Sequence, residues 1–332
     1  MIPLSKDMQD TITEAASVDL RIPDVSARRE ADPKVPLLIC VLKDELQLLD
    51  EFYAHYRALG IERFLMVDNG STDGTTEYLA AQADTNLYRI DRPFRWHVKQ
   101  GWINRLIAEH GLDRWYVYVD ADEHLIFDGS ESHSITELAA RAEASGIRRV
   151  RGMLVDLYGD GPLLDFAWDG PAGQRLIDAF PNFDTDSYVD EERFFIMSRK
   201  GGPRKRAMAA AETGLNPELS KYPLFRPAPG DLMSNPHHLY PYQEFQTDCL
   251  IGLLHFKFLP GFIHKVKKAV AEKTYWDDSF EYRTYLRALE ADPRLEFAYP
   301  GSRRFDSSRD LLDAGLIEPI DWDAPTPKGD PL

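Results

Sequence analysis

Residues 61–75 read IERFLMVDNGSTDGT. A run of strand-forming apolar residues ends at Asp68 and gives way to a polar, glycine-punctuated stretch in which Asn69-Gly70 signals a turn. A second segment ends the same way. WYVYVDADEHL (115–125) is apolar through Val119 and turns acidic at Asp120. Around these two, strand and helix patterns alternate. LLICVL (37–42) is an apolar run of strand length. ELQLLDEFYAHYRALG (45–60) has Leu48, Leu49, Phe52, Tyr56 and Leu59 at helical spacing and closes on Gly60. TTEYLAAQA (75–83) reads as a short helix, NLYRID (86–91) as a third strand, and 98–110 as a helix ended by Gly111. This order predicts an α/β fold, a mostly parallel sheet flanked by helices. Such sheets bind ligands at the carboxyl ends of their strands, which is where Asp68 and Asp120 fall.

The second half is less regular. SITELAARAEAS (134–145) is helical and RRVRGMLVDLYG (148–159) contains a strand. Residues 159–235 are rich in Pro, Gly and Asp, with one strand-like island at RFFIMS (193–198). LIGLLHFKFL (250–259) is another strand, followed by the basic amphipathic FIHKVKKAVAEKTY (262–275) and a helix around 280–291. Residues 1–34 read as a flexible N-terminal arm with room for one short helix. Residues 35–130 and 131–320 form two halves of one domain, and 321–332 a proline-rich tail.

At 332 residues and 43% hydrophobic, the chain can bury a sizeable core. Its net charge of −16 argues against a general nucleic-acid binder. The two cysteines, Cys40 and Cys249, sit in apolar runs without a CxxC partner, which fits free thiols in a reducing compartment. The chain shows no signal-peptide pattern and no apolar run of the ~18 residues a spanning helix needs. The expectation is a cytoplasmic protein, with room for peripheral contact at the inner face of a membrane.

Asp120-Ala121-Asp122 carries the most chemistry. In an extended chain its two carboxylates point to one side and repel unless a cation or a proton intervenes. Hard divalent ions accept such oxygens and leave positions open for phosphates. A solvated acidic turn is the other reading. Asp68 can accept hydrogen bonds from a ribose or a base edge, while the loop after it is a turn in either case. GGPRKR (201–206) combines glycines that permit close backbone approach with cations that can neutralise phosphate. It lacks the GK[ST] ending of a P-loop, and an exposed hairpin tip is its alternative. No GxGxxG follows the first strand, which disfavours a dinucleotide oxidoreductase.

Taken together, VLKDELQLLDEFYAHYRALGIERFLMVDNGSTDGT and then WYVYVDADEHL resemble the nucleotide-sugar-binding half of family 2-like glycosyltransferases of the GT-A fold, in a bacterial branch related to family 92. The resemblance covers about residues 36–128. It implies a GT-A-type, Rossmann-like sheet, with 35–130 binding the nucleotide-sugar and 131–320 supplying the acceptor side. It implies metal-dependent transfer from a nucleotide-diphosphate donor to a saccharide or lipid-linked acceptor, read as inverting with a retaining reaction as the alternative. The donor set is then Lys43, Asp44, Glu45, Asp68, Asn69, Asp120 and Ala121. Lys99, with Trp96, His97, Gln100 and Asn104, would line the pocket, and Arg204 and Lys205 would close over it. Asp120, Asp122 and His255 would hold Mn²⁺ or Mg²⁺, with His237 and His238 as other candidates. For the general base that an inverting reaction needs, Asp184, Glu191 and Glu192 are the candidates, alongside Asp186 and Asp190. This chain has Lys-Asp-Glu where Lys-Asn-Glu is usual, which leaves uridine versus guanosine open. Lys265, Lys267, Lys268 and Lys273 could meet an anionic membrane or an acidic acceptor, or be solvated. A nucleotidylyltransferase and an inactive nucleotide-sugar-binding protein are the alternatives. The first would want a glycine-rich basic loop after strand one, and VLKDELQ has none.

Overall fold

The computed structural model describes residues 5–20, 32–168, 170, 173–193, 196–208, 214–242, 248–273 and 275–324. In chain order the helices are α1 (Lys6–Ser17), α2 (Leu46–Ala58), α3 (Thr75–Ala80), α4 (Trp96–His110), α5 (Ile135–Ala144), α6 (Leu176–Ala179), α7 (Gly202–Met208), α8 (Phe262–Glu272), α9 (Trp276–Ala291) and α10 (Ser308–Asp313). The strands are β1 (Leu37–Leu42), β2 (Phe64–Asp68), β3 (Thr85–Arg89), β4 (Tyr116–Tyr118), β5 (Glu123–Phe127), β6 (Arg149–Asp156), β7 (Asn182–Asp184), β8 (Tyr188–Arg193), β9 (Ile196–Gly201), β10 (Ser220–Phe225), β11 (Leu232–Met233), β12 (Leu239–Tyr240), β13 (Ile251–His255) and β14 (Ser302–Arg304).

Eight strands form one sheet in the order β3-β2-β1-β4-β10-β6-β13-β5. The pairs β3–β2, β2–β1, β1–β4 and β6–β13 are parallel, while β10 is antiparallel to both neighbours and β5 is antiparallel to β13. Six strands therefore run the same way. The carboxyl ends of β1, β2, β4, β6 and β13 share one edge of the sheet with the amino ends of β10 and β5. This is a Rossmann-like arrangement of the GT-A type.

Both faces are covered, and β1 shows why its sequence is apolar throughout. Leu38, Cys40 and Leu42 enter the core shared with α2, α3 and α5. Leu37, Ile39 and Val41 enter a second core with Trp102, Ile103, Leu106 and Ile107 of α4. A strand buried on both faces cannot show polar alternation. A third core joins α7, α8 and α9. Both cysteines are buried and free. At the β5 edge, α2 replaces a neighbouring strand. The Tyr56 hydroxyl donates to Glu123 O at 2.8 Å and accepts from Leu125 N, and His55 Nε2 lies 2.9 Å from Leu125 O.

One expectation needs correction. The irregular stretch 159–235 contains a central strand, β10, which the sequence hides because SKYPLF has a proline in its middle. Pro223 is tolerated because the pairing register with β6 shifts between Lys221 and Leu224, and a bulge has no ladder bond there to lose. In the N-terminal arm, which the sequence reading gave room for one short helix, residues 6–17 form α1, which is docked on α4. Glu14 accepts from Trp102 Nε1 at 2.9 Å and from Arg92 Nη1 at 2.9 Å. A Cβ on Gly101 would sit 2.7 Å from Glu14 Cβ and 2.9 Å from Thr11 O, so only glycine lets the helices approach. Most of the proline-rich tail, 325–332, lies outside the described residues.

Gly101→Leu should therefore release α1 while the sheet stays folded. Limited proteolysis ahead of β1 should accelerate about tenfold, equivalent to about 1.4 kcal/mol of lost docking, with far-UV circular dichroism little changed. An unchanged cleavage rate would refute the docking.

Candidate functional site

The loops after β1 and β2 are built as one unit. Asp68 is fully buried. It accepts from Ser71 N at 2.9 Å and from the Thr76 hydroxyl, so its carboxylate is spent shaping the DNGSTD turn. Asn69 donates to Ile90 O (3.2 Å) and Arg92 O (2.8 Å), tying β2 to the end of β3, while its buried Oδ1 has no partner. Asp44 N donates to Ser71 Oγ, and the Asp44 carboxylate accepts from Thr72 N at 2.7 Å. Asp44 also has φ 55. Asn and Asp enter this left-handed region more readily than other non-glycine residues. Asp44 therefore suits this position, as an Asn would. Lys43 is exposed.

The segment after β4 is not extended. Glu123 N donates to Asp120 O at 3.1 Å, closing a tight turn, so Asp120 and Asp122 do not share a side as strand neighbours would. The turn carries the chain from β4 to β5 past the ends of β10, β6 and β13, and each of its acids finds a separate partner. Asp120 Oδ1 accepts from Lys99 Nζ at 2.5 Å, and Asp120 N donates to Glu123 Oε2 at 2.9 Å. Glu123 pairs with Lys221 of β10 at 2.5 Å. Asp122 Oδ2 lies 3.7 Å from His255 Nε2, and Phe256 N holds the turn through Asp122 O at 2.8 Å. Ala121 is buried in the core.

His255, at the end of β13, is held from behind. Its Nδ1 lies 2.6 Å from Asp156 Oδ1, at the end of β6, while Asp156 Oδ2 accepts from Arg204 Nε at 2.7 Å. Arg204 also donates to Glu281 at 2.7 Å, and its buried Nη2 has no partner. Across the site, Lys265 of α8 reaches Glu45 at 3.1 Å, which gives one lysine of the basic segment a place at the carboxylate edge.

The charges follow from this crowding. Burial pushes Asp120 up, but Lys99 and Lys221 outweigh it and leave its pKa lowered. Burial likewise opposes ionisation of Asp122, yet His255, Lys265 and Lys257 hold it well below the usual carboxylate range. Asp156, also buried, falls to about 2 because of Arg204 and His255. Burial disfavours the His255 imidazolium, but the hydrogen-bonded Asp122 and Asp156 raise it to about 8. Burial lifts Glu45, with Asp122 and Asp120 adding to the effect against Lys265. The sign of each shift reflects which neighbour wins against desolvation.

Several sequence candidates are placed elsewhere. Asp184 is fully buried and committed. Arg206 grips both its oxygens at 2.9 Å and the Tyr158 hydroxyl donates at 2.7 Å, so the reading of Asp184 as a base is replaced by a structural role. Glu191 and Glu192 are exposed on the β8–β9 hairpin, opposite Ser198 and Met197. Asp190 pairs with Arg151 and Arg199, and Asp186 accepts from the Tyr299 hydroxyl. GGPRKR is neither an open loop nor a hairpin tip. It is the end of β9 and α7, with Arg204 and Arg206 turned inward and Lys205 half-buried. Gly201 is required there, since a Cβ would lie 1.9 Å from Ser187 O at φ 126. His237 is a packed residue, with Nδ1 2.8 Å from Ser220 O, and His238 is buried beside it. Gln100 is buried, and Asn104 braces Met233. The side chains of Trp96 and His97 lie outside the described residues. Residues the sequence reading did not single out are Asp156, Lys221, Glu123, Lys257 and Glu281. Lys221 was hidden by the missed strand. Asp156 had a signal, since it also ends an apolar strand, in RGMLVD.

A divalent ion would meet two donors at this edge. Asp122 and the Asp156-oriented His255 offer one oxygen and one nitrogen. Imidazole favours Mn²⁺ over Mg²⁺, and the hydrogen-bonded Nδ1 fixes the ring as metal-ligating histidines usually are. Among the described residues, no set of three or more His, Cys, Asp or Glu is assembled as a metal site. Nor is any described helix long and apolar enough to cross a membrane.

Among curated proteins, the chain is similar to a glycosyltransferase family 92 protein of Oryza sativa subsp. japonica, 25% identical over 100 residues. The match takes in 29% of this chain and 17% of that protein, so the chain spans well under two thirds of the relative's length. No family model matches. Among solved structures, a 4-diphosphocytidyl-2C-methyl-D-erythritol synthase is similar over 40% of this chain and 63% of its own, at 14% identity and a TM-score of 0.26.

Two measurements check this geometry. Asp44→Ala should lower the unfolding free energy by about 1.5–3 kcal/mol from lost hydrogen bonds and left-handed strain, whereas Asp44→Asn should cost under about 0.5 kcal/mol in urea denaturation. Arg206→Ala, which strands the Asp184 carboxylate, should cost about 3 kcal/mol or more by the same assay. A near-neutral result would return Asp184 to the list of free acids.

Proposed function

We propose that the protein is a glycosyltransferase that uses a nucleotide-diphosphate sugar. The observation that carries this reading is the convergence on one sheet edge of the β1 and β2 loops, the Asp120–Asp122 turn and His255. The first two are a natural seat for a nucleoside, and the turn with His255 for a charged diphosphate. Likeness to a family 92 glycosyltransferase over 100 residues supports it.

In this reading Asp122 and His255 would hold Mn²⁺ or Mg²⁺. The metal would supply charge neutralisation for the departing nucleoside diphosphate. The chain's own groups do the rest. Lys99 keeps Asp120 ionised and fixed, and Asp156 keeps His255 Nε2 turned toward Asp122. Arg204 Nη2 is an unspent donor for a phosphate oxygen. Asp68 acts on the nucleoside indirectly, by fixing the turn whose backbone would contact it. With Asp184 committed to Arg206, the acceptor-side base falls to another acid, and exposed Glu191 and Glu192 are kept as candidates.

Asp122→Ala should reduce sugar transfer by at least about 10³-fold, or roughly 4 kcal/mol, without unfolding the chain. The donor base can be found first, by thermal shift with uridine and guanosine diphosphates plus Mn²⁺. Metal-dependent turnover at the wild-type rate in Asp122→Ala would overturn the assignment.

A further inference from the structure

A cavity of about 240 Å³ lies away from the carboxylate edge, on the other face of β5 and β13. The pleat separates the two places by one residue. His255 and Glu123 are a cross-strand pair at the carboxylate centre, and the next pair, Leu254 and His124, lines the cavity. Its floor is apolar, with the buried Ile126, Leu254 and Phe305, and its rim carries the half-buried Ile177 beside the polar Glu51, Arg175, Asp178 and Asp306.

The wall is a stack of two imidazoles. The rings of His55 and His124 lie 4.5 Å apart and 8° from parallel. His55 Nε2 is engaged by Leu125 O, which leaves its Nδ1 as an acceptor. His124 is 6% exposed, and its Nε2 has no partner. A buried ring nitrogen without a partner is uncommon and points to a missing one.

We propose that this cavity binds a single neutral saccharide ring, independently of the donor site. Three features select that class. Three carboxylates against one guanidinium, itself doubly bonded to Asp178 at 2.8 Å, repel anions such as phosphates. Apolar and ring surfaces facing hydrogen-bonding groups suit a pyranose, which has an apolar face and a hydroxyl edge. The volume is below the roughly 300–1,000 Å³ of pockets for larger ligands, so one ring fits and an oligosaccharide does not.

Saturation-transfer NMR on the full chain, without nucleotide or metal, should show at least one methyl glycoside binding from a panel of gluco, galacto and manno epimers. Ile177→Trp, which blocks the mouth without touching the buried histidines, should abolish the signal, and Glu51→Ala should weaken binding at least fivefold. Thermal shifts with nucleotide diphosphates should be unchanged in both, which separates this site from the proposed transfer reaction. The idea is overturned if every glycoside is silent, if binding survives Ile177→Trp, or if only cationic amines bind.

Discussion

Charge that is short of water must be paired, and that constraint arranges this sheet edge. Asp120 and Asp122 are half-buried and within reach of each other's field. Left alone, one would hold a proton. Lys99 answers the first from α4, and His255 answers the second from β13. Each answering group needs its own support. Asp156 holds His255, Arg204 holds Asp156, and Glu281 balances Arg204. On the other side, Glu123 and Lys221 neutralise one another beneath the turn. A series of opposite-charge pairs thus links α4 to α9 through the turn. With Glu123 and Lys221, its members come from seven separate elements and the turn, so the fold and the site are one problem.

Much of this was legible in the sequence because it is local. The strands β1, β2 and β4 are apolar runs, the last two leading into acids, and the long helices α2 and α4 have regular spacing and glycine stops. Those patterns fix a parallel sheet and place Asp68 and Asp120 at the same edge without tertiary information. His255 could be picked out on similar grounds, as the one titratable group in LLHF.

What the sequence could not carry was pairing at a distance. GGPRKR looks like an exposed basic tip, since nothing nearby in sequence says that Arg204 meets Asp156, 48 positions earlier, or that Arg206 meets Asp184. Asp184 looks free for the same reason. β10 was lost to local logic of another kind. Proline argues against a central strand, and only the sheet itself, by shifting register at Pro223, makes the exception. The cost of that miss was chemical as well as topological, because Lys221 came with the strand. The Asp-x-Asp spacing also misled, since a turn and a strand share the same three letters.

The α2 side chains along β5 have a consequence for how copies of this protein meet. An outermost strand normally offers a row of unpaired amide and carbonyl groups, an invitation to sheet extension by a neighbouring molecule. Here Tyr56 occupies the slots at Glu123 and Leu125, and His55 also engages the Leu125 carbonyl. Two aromatic side chains on a helix thus block strand addition at this part of the edge. The same covering fixes the height of β5 against α2, so the Asp120–Asp122 turn, which feeds directly into β5, has a fixed end point.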